Sequence, residues 1–372
     1  MMSLILKSPS WLKSNGWQLV AALTVFSTVP LCATAASEPV RERLSFDANW
    51  RFTKGDPAGT GDELSYKKIK PWMNSTGNEF VKDGKPTPRP KGNLGENVVY
   101  TQPGFDDSNW RELNLPHDWG IEGPFNQHYP GSTGRLHWWG IGWYRKHFNV
   151  AASDKGRRFY LDVDGAMSYA NVWLNGHYVG GWPYGYSSWK MDLTPYIKFG
   201  GENIIAIRLD NPPDSSRWYP GGGIYRNVWL VKTGPVHVEH WGTYVTTPEV
   251  TAKEATVHIR VTVDNDSASD ATLTVQNEVC ELKANGKKGR PVTSISTSGV
   301  LVAAHKTEST QSQVTLKKPR LWSLEKPQRY VVVTSIEQHG KTVDRYETAF
   351  GIRTIKFDAD KGFFLNGKHV HL

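Results

Sequence analysis

From Trp143 to Thr233 the chain is a succession of short runs in which apolar and polar residues alternate, each closed by a turn. A period of two puts successive side chains on opposite faces of a strand, so this pattern suits a sheet and not a helix of period 3.6. In "RRFYLDVDG" Phe159, Leu161 and Val163 share one face. In "YANVWLNGHYVGGW" Ala170, Val172 and Leu174 do so, before the chain turns at Asn175-Gly176 and returns. Asn-Gly tolerates the positive φ of a type I′ hairpin turn. "WYRKHFNV", "GENIIAIRLDN" and "GIYRNVWLVKTG" follow the same period. Turns at intervals of about 8–12 residues between such runs predict an antiparallel sandwich. The composition agrees: 16 Trp, 15 Tyr and 13 Phe can fill a core, while 35 Gly and 22 Pro punctuate many short strands.

At 372 residues the chain has room for two or three domains. Past Pro235 Trp becomes scarce and shorter strands follow, among them "ATVHIRVTVDND", where Val257, Ile259, Val261 and Val263 alternate. Five to seven such strands over about 115 residues predict an immunoglobulin-like sandwich at 236–351. The Cys…Trp…Cys signature of antibody domains is missing. Upstream, "RERLSFDANWRF" (41–52) reads as a first strand of the preceding domain, 36–235. Residues 53–104 are poor in aliphatics and rich in Gly, Pro, Lys and Asn, and read as a long surface insertion in that domain. The last stretch, "GFFLNGKHVHL", holds a strand at Phe363–Leu365, a turn at Asn366-Gly367 and the start of a second strand. An isolated hairpin is marginal in water, so 352–372 reads as the beginning of a further unit.

The first 35 residues read as an export signal. Lys7 and Lys13 precede the apolar run "LVAALTVF" (19–26), which is too short to span a bilayer. "ATAAS" (33–37) then supplies small residues for cleavage after Ala35, which predicts a periplasmic or secreted protein with no membrane anchor after cleavage. The formal charge falls from +8 to +6 as Lys7 and Lys13 leave. With no long basic run, nucleic acid is not an expected partner. Cys32 leaves with the signal, so Cys280 has no partner for an internal disulfide, and it reads as a small apolar residue in a strand.

The densest chemistry lies in "DNPPDSSRWYPGGGIYRNVWL" (210–230). Its Pro pair and three Gly make a rigid, then tight loop that can offer Arg217, Trp218 and Tyr219 outward. Aromatic faces stack on sugar C–H groups, while Arg and Asp hydrogen-bond the hydroxyls. The alternative is a structural corner, with Trp218 and Tyr219 plugging the end of the sandwich. No Gly-Lys-Ser/Thr follows the glycines, so they form no phosphate cradle. "LPHDWGIEGPF" (115–125) offers His117, Asp118 and Glu122, either for acid–base work or as braces for backbone amides. "STGRLHWWGIGWYRK" (132–146) turns Trp138 and Trp139 toward a ligand or the core. No metal site is expected: on a regular strand His237 and His240 point to opposite faces, and His369 with His371 lack a third ligand.

The order of these pieces resembles glycoside hydrolase family 2, the β-galactosidase and β-glucuronidase family. The carriers are "LPHDWGIEGPF", "GIGWYRKHF", the run from Val163 through "SSRWYPGGGIYRNVWL", and "FGIRTIKFDADKGFFLNGKHVHL". "PHDW" and "SRWYPGGGIYR" are more similar to the galactosidase branch. The resemblance implies an all-β chain: a jelly-roll, galactose-binding-like sandwich, an immunoglobulin-like sandwich, and then the first hairpin of a (β/α)8 barrel. It places the two catalytic glutamates beyond residue 372, so no catalytic residue is assigned here and the chain alone is expected to be inactive. Substrate binding falls by resemblance to Asp214, Arg217 and Trp218, with a β-galactoside-type glycan as the partner and no cofactor. Phe363, Phe364 and Leu372 would be apolar surface awaiting the barrel, inviting a barrel-bearing partner chain or self-association. The other reading is a stand-alone carbohydrate-binding or scaffold protein.

Overall fold

The computed structural model describes residues 40–80 and 85–371, so the export-signal reading and Leu372 lie outside the described residues. In chain order the first half holds β1 (Glu42–Ser45), β2 (Trp50–Lys54), helix α1 (Tyr66–Thr76), β3 (Arg111–Leu113), β4 (Gly140–Val150) and β5 (Arg158–Val163). It continues with β6 (Ala170–Leu174), β7 (His177–Trp182), β8 (Trp189–Asp192), β9 (Gly201–Asn211) and β10 (Val228–Thr233). These strands form two antiparallel sheets, ordered β1-β10-β5-β8 and β3-β2-β4-β9-β6-β7. Between them lie Phe159, Leu161 and Val163 of β5, Ala170, Val172 and Leu174 of β6, and Ile205, Ile207 and Leu209 of β9. Trp50, fully buried in this core, keeps its polar atom paired by donating its indole N–H to the Phe46 carbonyl at 2.8 Å.

The second half holds β11 (Val236–Val250), β12 (Glu254–Asn265), β13 (Ala271–Leu282), β14 (Lys288–Val302), β15 (Lys306–Lys317), β16 (Arg329–Gln338) and β17 (Lys341–Phe350). Sheets β11-β12-β15 and β14-β13-β16-β17 enclose Val257, Ile259, Val261 and Val263 together with Leu273, Val275 and Val332. Cys280 is buried beside Val331 and Val333. The chain is thus all-β, a jelly-roll sandwich followed by an immunoglobulin-like one. A three-stranded meander, β18 (Ile355–Asp358), β19 (Gly362–Leu365) and β20 (Lys368–Val370), follows. Phe363 and Phe364 are half-buried in it, because Phe363 packs on Phe357 with ring centroids 5.1 Å apart; the exposed apolar surface is Phe357 and Ile355. Among the described residues no helix is long and apolar enough to cross a membrane.

The sequence leaves open how far the surface insertion at 53–104 is ordered. It is packed rather than loose: Leu64, Ile69, Trp72, Met73, Leu94 and Val98 are buried against Trp143, Trp173 and Tyr178. Those three aromatics lie on the outer face of the six-stranded sheet, where Trp143 and Trp173 stack 5.4 Å apart. Polar ties fix the insertion. Asp56 accepts from Nε and Nη2 of buried Arg208, each at 2.8 Å, and also from the Trp143 indole at 2.8 Å. The Trp173 indole donates to the Leu94 carbonyl at 2.7 Å. Asn93 pairs with the Gly176 carbonyl and the Tyr178 amide at 2.8 and 2.7 Å.

Candidate functional site

At the end of β9 the chain leaves the sheet and crosses residues 212–227 before β10 begins. Buried Asn211 anchors the departure, its Nδ2 donating to the carbonyls of Trp138 at 3.0 Å and Gly221 at 2.8 Å. Asp214 sits at φ 57°, a left-handed conformation that Asp and Asn tolerate better than most side chains. The loop closes against residues 117–119: the Trp119 amide donates to Gly222 O at 3.1 Å and the His117 amide to Ile224 O at 2.8 Å. A Cβ at Gly222 would come within 2.9 Å of the Trp119 indole, so this approach needs glycine.

Asp118 Oδ1 accepts three bonds, from the Gly120 amide at 2.9 Å, the Gly222 amide at 3.0 Å and the Tyr219 hydroxyl at 2.8 Å. Burial, and then the Asp118 bond, raise the Tyr219 phenol, which stays a donor. Beside it the ring of His117 meets Tyr144 Oη at 2.7 Å and Glu122 Oε1 at 3.1 Å, and Glu122 pairs with Arg111 at 2.7 Å. Burial lowers the His117 pKa, and the Arg111 bond holds Glu122 below the usual carboxylate range. Of the two readings of this segment, the geometry is that of a brace: Asp118 holds backbone amides, and Glu122 is an ionised partner of Arg111 rather than a proton donor.

The loop at 212–216 and the aromatic stretch 128–139 enclose a cleft of about 390 Å³, lined by His128, Tyr129, Trp138, Trp139, Asp214 and Ser216 among others. Trp138 is buried and its indole N–H has no protein partner. Trp139 is half-buried and locked edge-on to Tyr129 at 4.9 Å and against His137 at 4.3 Å. A carboxylate, hydroxyls and two indoles, of which Trp139 is the half-exposed one, around a volume of this size suit a small polyhydroxylated ring.

Of the three residues expected from the sequence, only Asp214 lines this cleft. Arg217 is exposed and makes no ion pair among the described residues. Trp218 is 59 % exposed, so it does not plug the sandwich. Its indole donates to Tyr186 Oη at 2.9 Å, making a separate aromatic patch with Tyr184. His128 and Tyr129 escaped the sequence reading because they share a cleft with Asp214 from more than eighty residues away in the chain; the one available signal was the aromatic density continuing upstream of Trp138.

Known proteins place this arrangement. The description "Glycosyl hydrolase 2 galactose-binding domain-like" matches residues 131–218, which include Trp138, Trp139 and Asp214 but not His128 or Tyr129, and "Glycosyl hydrolases family 2" matches residues 236–353. The chain belongs to glycosyl hydrolase family 2. A family β-galactosidase from Bacteroides ovatus is 39 % identical over 92 % of this chain, and a putative β-glucuronidase from Formosa agariphila is 36 % identical over 75 %. Among solved structures, a family 2 member from Bacteroides cellulosilyticus superposes with a TM-score of 0.68 at 32 % identity, covering 88 % of this chain. The chain spans 35 % and 26 % of the two sequence relatives and 38 % of that structure, about a third of a family enzyme's length.

Proposed function

We propose that these residues form the sugar-positioning, non-catalytic part of an exported glycoside hydrolase acting on β-galactoside-type glycans. The cleft of Asp214, Trp138 and Trp139 carries this reading, since it offers a sugar both hydrogen bonds and an aromatic wall. The β-galactosidase and β-glucuronidase relatives support a carbohydrate substrate. In this reading the meander at 355–370 begins a catalytic barrel, whose glutamates lie in sequence outside these residues, on the same polypeptide or a partner chain. The basic, then apolar, then small-residue order of residues 1–35 supports export.

Calorimetric titration of the folded chain with a methyl β-galactoside tests the reading. Saturable binding that Trp139→Ala weakens several-fold is expected. Retention of full affinity in both Trp139→Ala and Asp214→Asn, or no binding by a chain whose circular dichroism is native, would overturn it. Recovery of an intact Met1 terminus from the soluble fraction would count against export.

A further inference from the structure

A second cleft, of about 470 Å³, opens where the outer face of the four-stranded sheet meets β11 and β17. Alternation along β5 turns Tyr160 and Asp162 into it, away from the core residues Phe159, Leu161 and Val163. Register places Lys190 of β8 directly across from Asp162. From the other side come His237 and His240. A regular strand would send these two to opposite faces, which is the expectation from the sequence. Instead four residues of β11, between Val238 and Thr243, stand opposite one residue of β12, and Trp241 takes φ 57°. The irregularity brings His240 round into the same cleft as His237.

The hydrogen-bond inventory of this cleft is incomplete. Asp162 is 3 % exposed; its Oδ2 meets Arg43 at 3.3 Å, but Oδ1 has no hydrogen bond. His240 Nε2 lies 3.7 Å from that oxygen, too far to bond, and is likewise unpartnered. His237 is 2 % exposed; its Nε2 faces Tyr160 Oη at 3.3 Å while Nδ1 has no partner. Buried polar atoms in folded proteins are nearly always paired, so three orphans around one cavity point to an occupant. The cations add direction. Arg41 is held by Asp344 at 2.8 Å, and Arg43 by Asp162 and the Trp229 ring. Lys190 and Arg345, by contrast, have no ion pair among the described residues. Half-exposed Tyr346 and exposed Trp241 supply an aromatic wall.

We propose that this junction cleft binds an acidic saccharide unit, a hydroxylated ring carrying one carboxylate. Asp162 Oδ1 needs a hydroxyl donor. The imidazole nitrogens of His237 and His240 suit hydroxyls in either tautomer, since burial keeps both rings neutral at pH 7. Lys190 and Arg345 answer a carboxylate, and Trp241 with Tyr346 a C–H face. A metal ion is a poor fit, because no three His, Cys, Asp or Glu side chains converge as ligands among the described residues. The site is separate from the Asp214 cleft and does not rest on the galactoside reading.

The test is titration of the folded chain with D-galacturonate, D-galactose and inorganic sulfate in parallel. Saturable galacturonate binding is expected, at least tenfold tighter than galactose or sulfate. Lys190→Met and Arg345→Met should each weaken it at least fivefold, and Trp139→Ala should leave it unchanged. Neither cation has an ion pair among the described residues, although Lys190 lies 5.1 Å over the Tyr160 ring, and a wild-type melting curve is the check that each variant keeps the fold. No saturable galacturonate binding, equal binding of sulfate, or indifference to both cation variants would each overturn the assignment. Loss of galactoside binding in Trp139→Ala with galacturonate affinity intact would separate the two sites.

Discussion

The Tyr219 hydroxyl and Asp118 meet at 2.8 Å across a hundred residues of chain, and the same Asp118 oxygen gathers the Gly120 and Gly222 amides. One carboxylate oxygen thereby locks the 117–122 segment to the loop that carries Asp214. Replacing it strands three donors. Asp118→Ala is expected to lower stability by about 2 kcal/mol, within the range for leaving part-buried donors unpaired. Asp118→Asn, which keeps one acceptor oxygen, should cost less. Urea midpoints of the two variants, compared at constant slope, check the order.

Trp218→Ala makes the opposite case. Its side chain is 59 % exposed and bonds only outward, to Tyr186 and through its own amide to Ser216. The expected change in stability is within about 0.5 kcal/mol, the usual range for a surface site. Chemical denaturation measures it directly. A loss of several kcal/mol would show that the loop plugs the sandwich after all.

Trp72 of α1 is 7 % exposed, lies edge-on to Tyr178 at 5.3 Å and carries the Arg89 guanidinium 5.2 Å from its ring. Trp72→Ala should cost about 3–5 kcal/mol, as for other buried aromatic truncations. If the insertion were a loose excursion, the same substitution would be nearly silent in thermal unfolding.

The contrast between the sandwiches and the insertion shows what sequence periodicity reports. Phe159, Leu161 and Val163 alternate with polar neighbours, so the inner face of β5 can be read without a structure. The insertion cannot be read this way. Its buried residues Leu64, Ile69, Trp72 and Met73 are scattered, and Pro71 sits inside α1. The informative signal was in its partner: β6, "ANVWL", carries Trp173 on the face opposite Ala170, Val172 and Leu174, and a strand with a large apolar side chain on its outer face calls for cover there too. In the site, the aromatic stretch and the Asp214 loop were each legible, but their convergence depends on Asn211 bonding the Trp138 carbonyl, a contact between distant segments. The meeting of His237 and His240 depends on an irregularity of β11, which leaves no mark in residue alternation.

His240 gives a pH dependence. It titrates at about 4 in the folded chain, because burial first and then Lys190, Arg43 and Arg41 disfavour its charged form. The unfolded chain releases a histidine of ordinary pKa 6.5, which takes up its proton first as pH falls. The His240 contribution is therefore complete above pH 6.5 and lost progressively toward pH 4, by about 3 kcal/mol in all. Asp162 acts in the other direction: burial raises its pKa, so it favours the folded state at the acid end. Urea midpoints between about pH 7 and pH 4.5 should fall less for His240→Gln than for the unchanged chain. Parallel curves would contradict the assignment.

The last expectation concerns turnover. A retaining glycosidase needs two carboxyl groups about 5–5.5 Å apart, one ionised nucleophile and one acid whose pKa is raised to hold a proton near neutrality. The carboxylates around this edge are poorly suited to either part. Asp118 is engaged by three donors, and Glu122 is held by Arg111, which lowers its pKa when an acid catalyst needs the reverse. Asp214 is the one carboxylate among the described residues lining the Asp214 cleft, so it has no partner there with which to divide the two roles. The chain alone should therefore bind a chromogenic β-galactoside without releasing its chromophore over hours. Glu122→Gln and Asp214→Asn should not change that background rate. Turnover by the purified chain that either substitution abolishes would mean that this sandwich edge performs chemistry, and that its carboxylates do more than position the sugar.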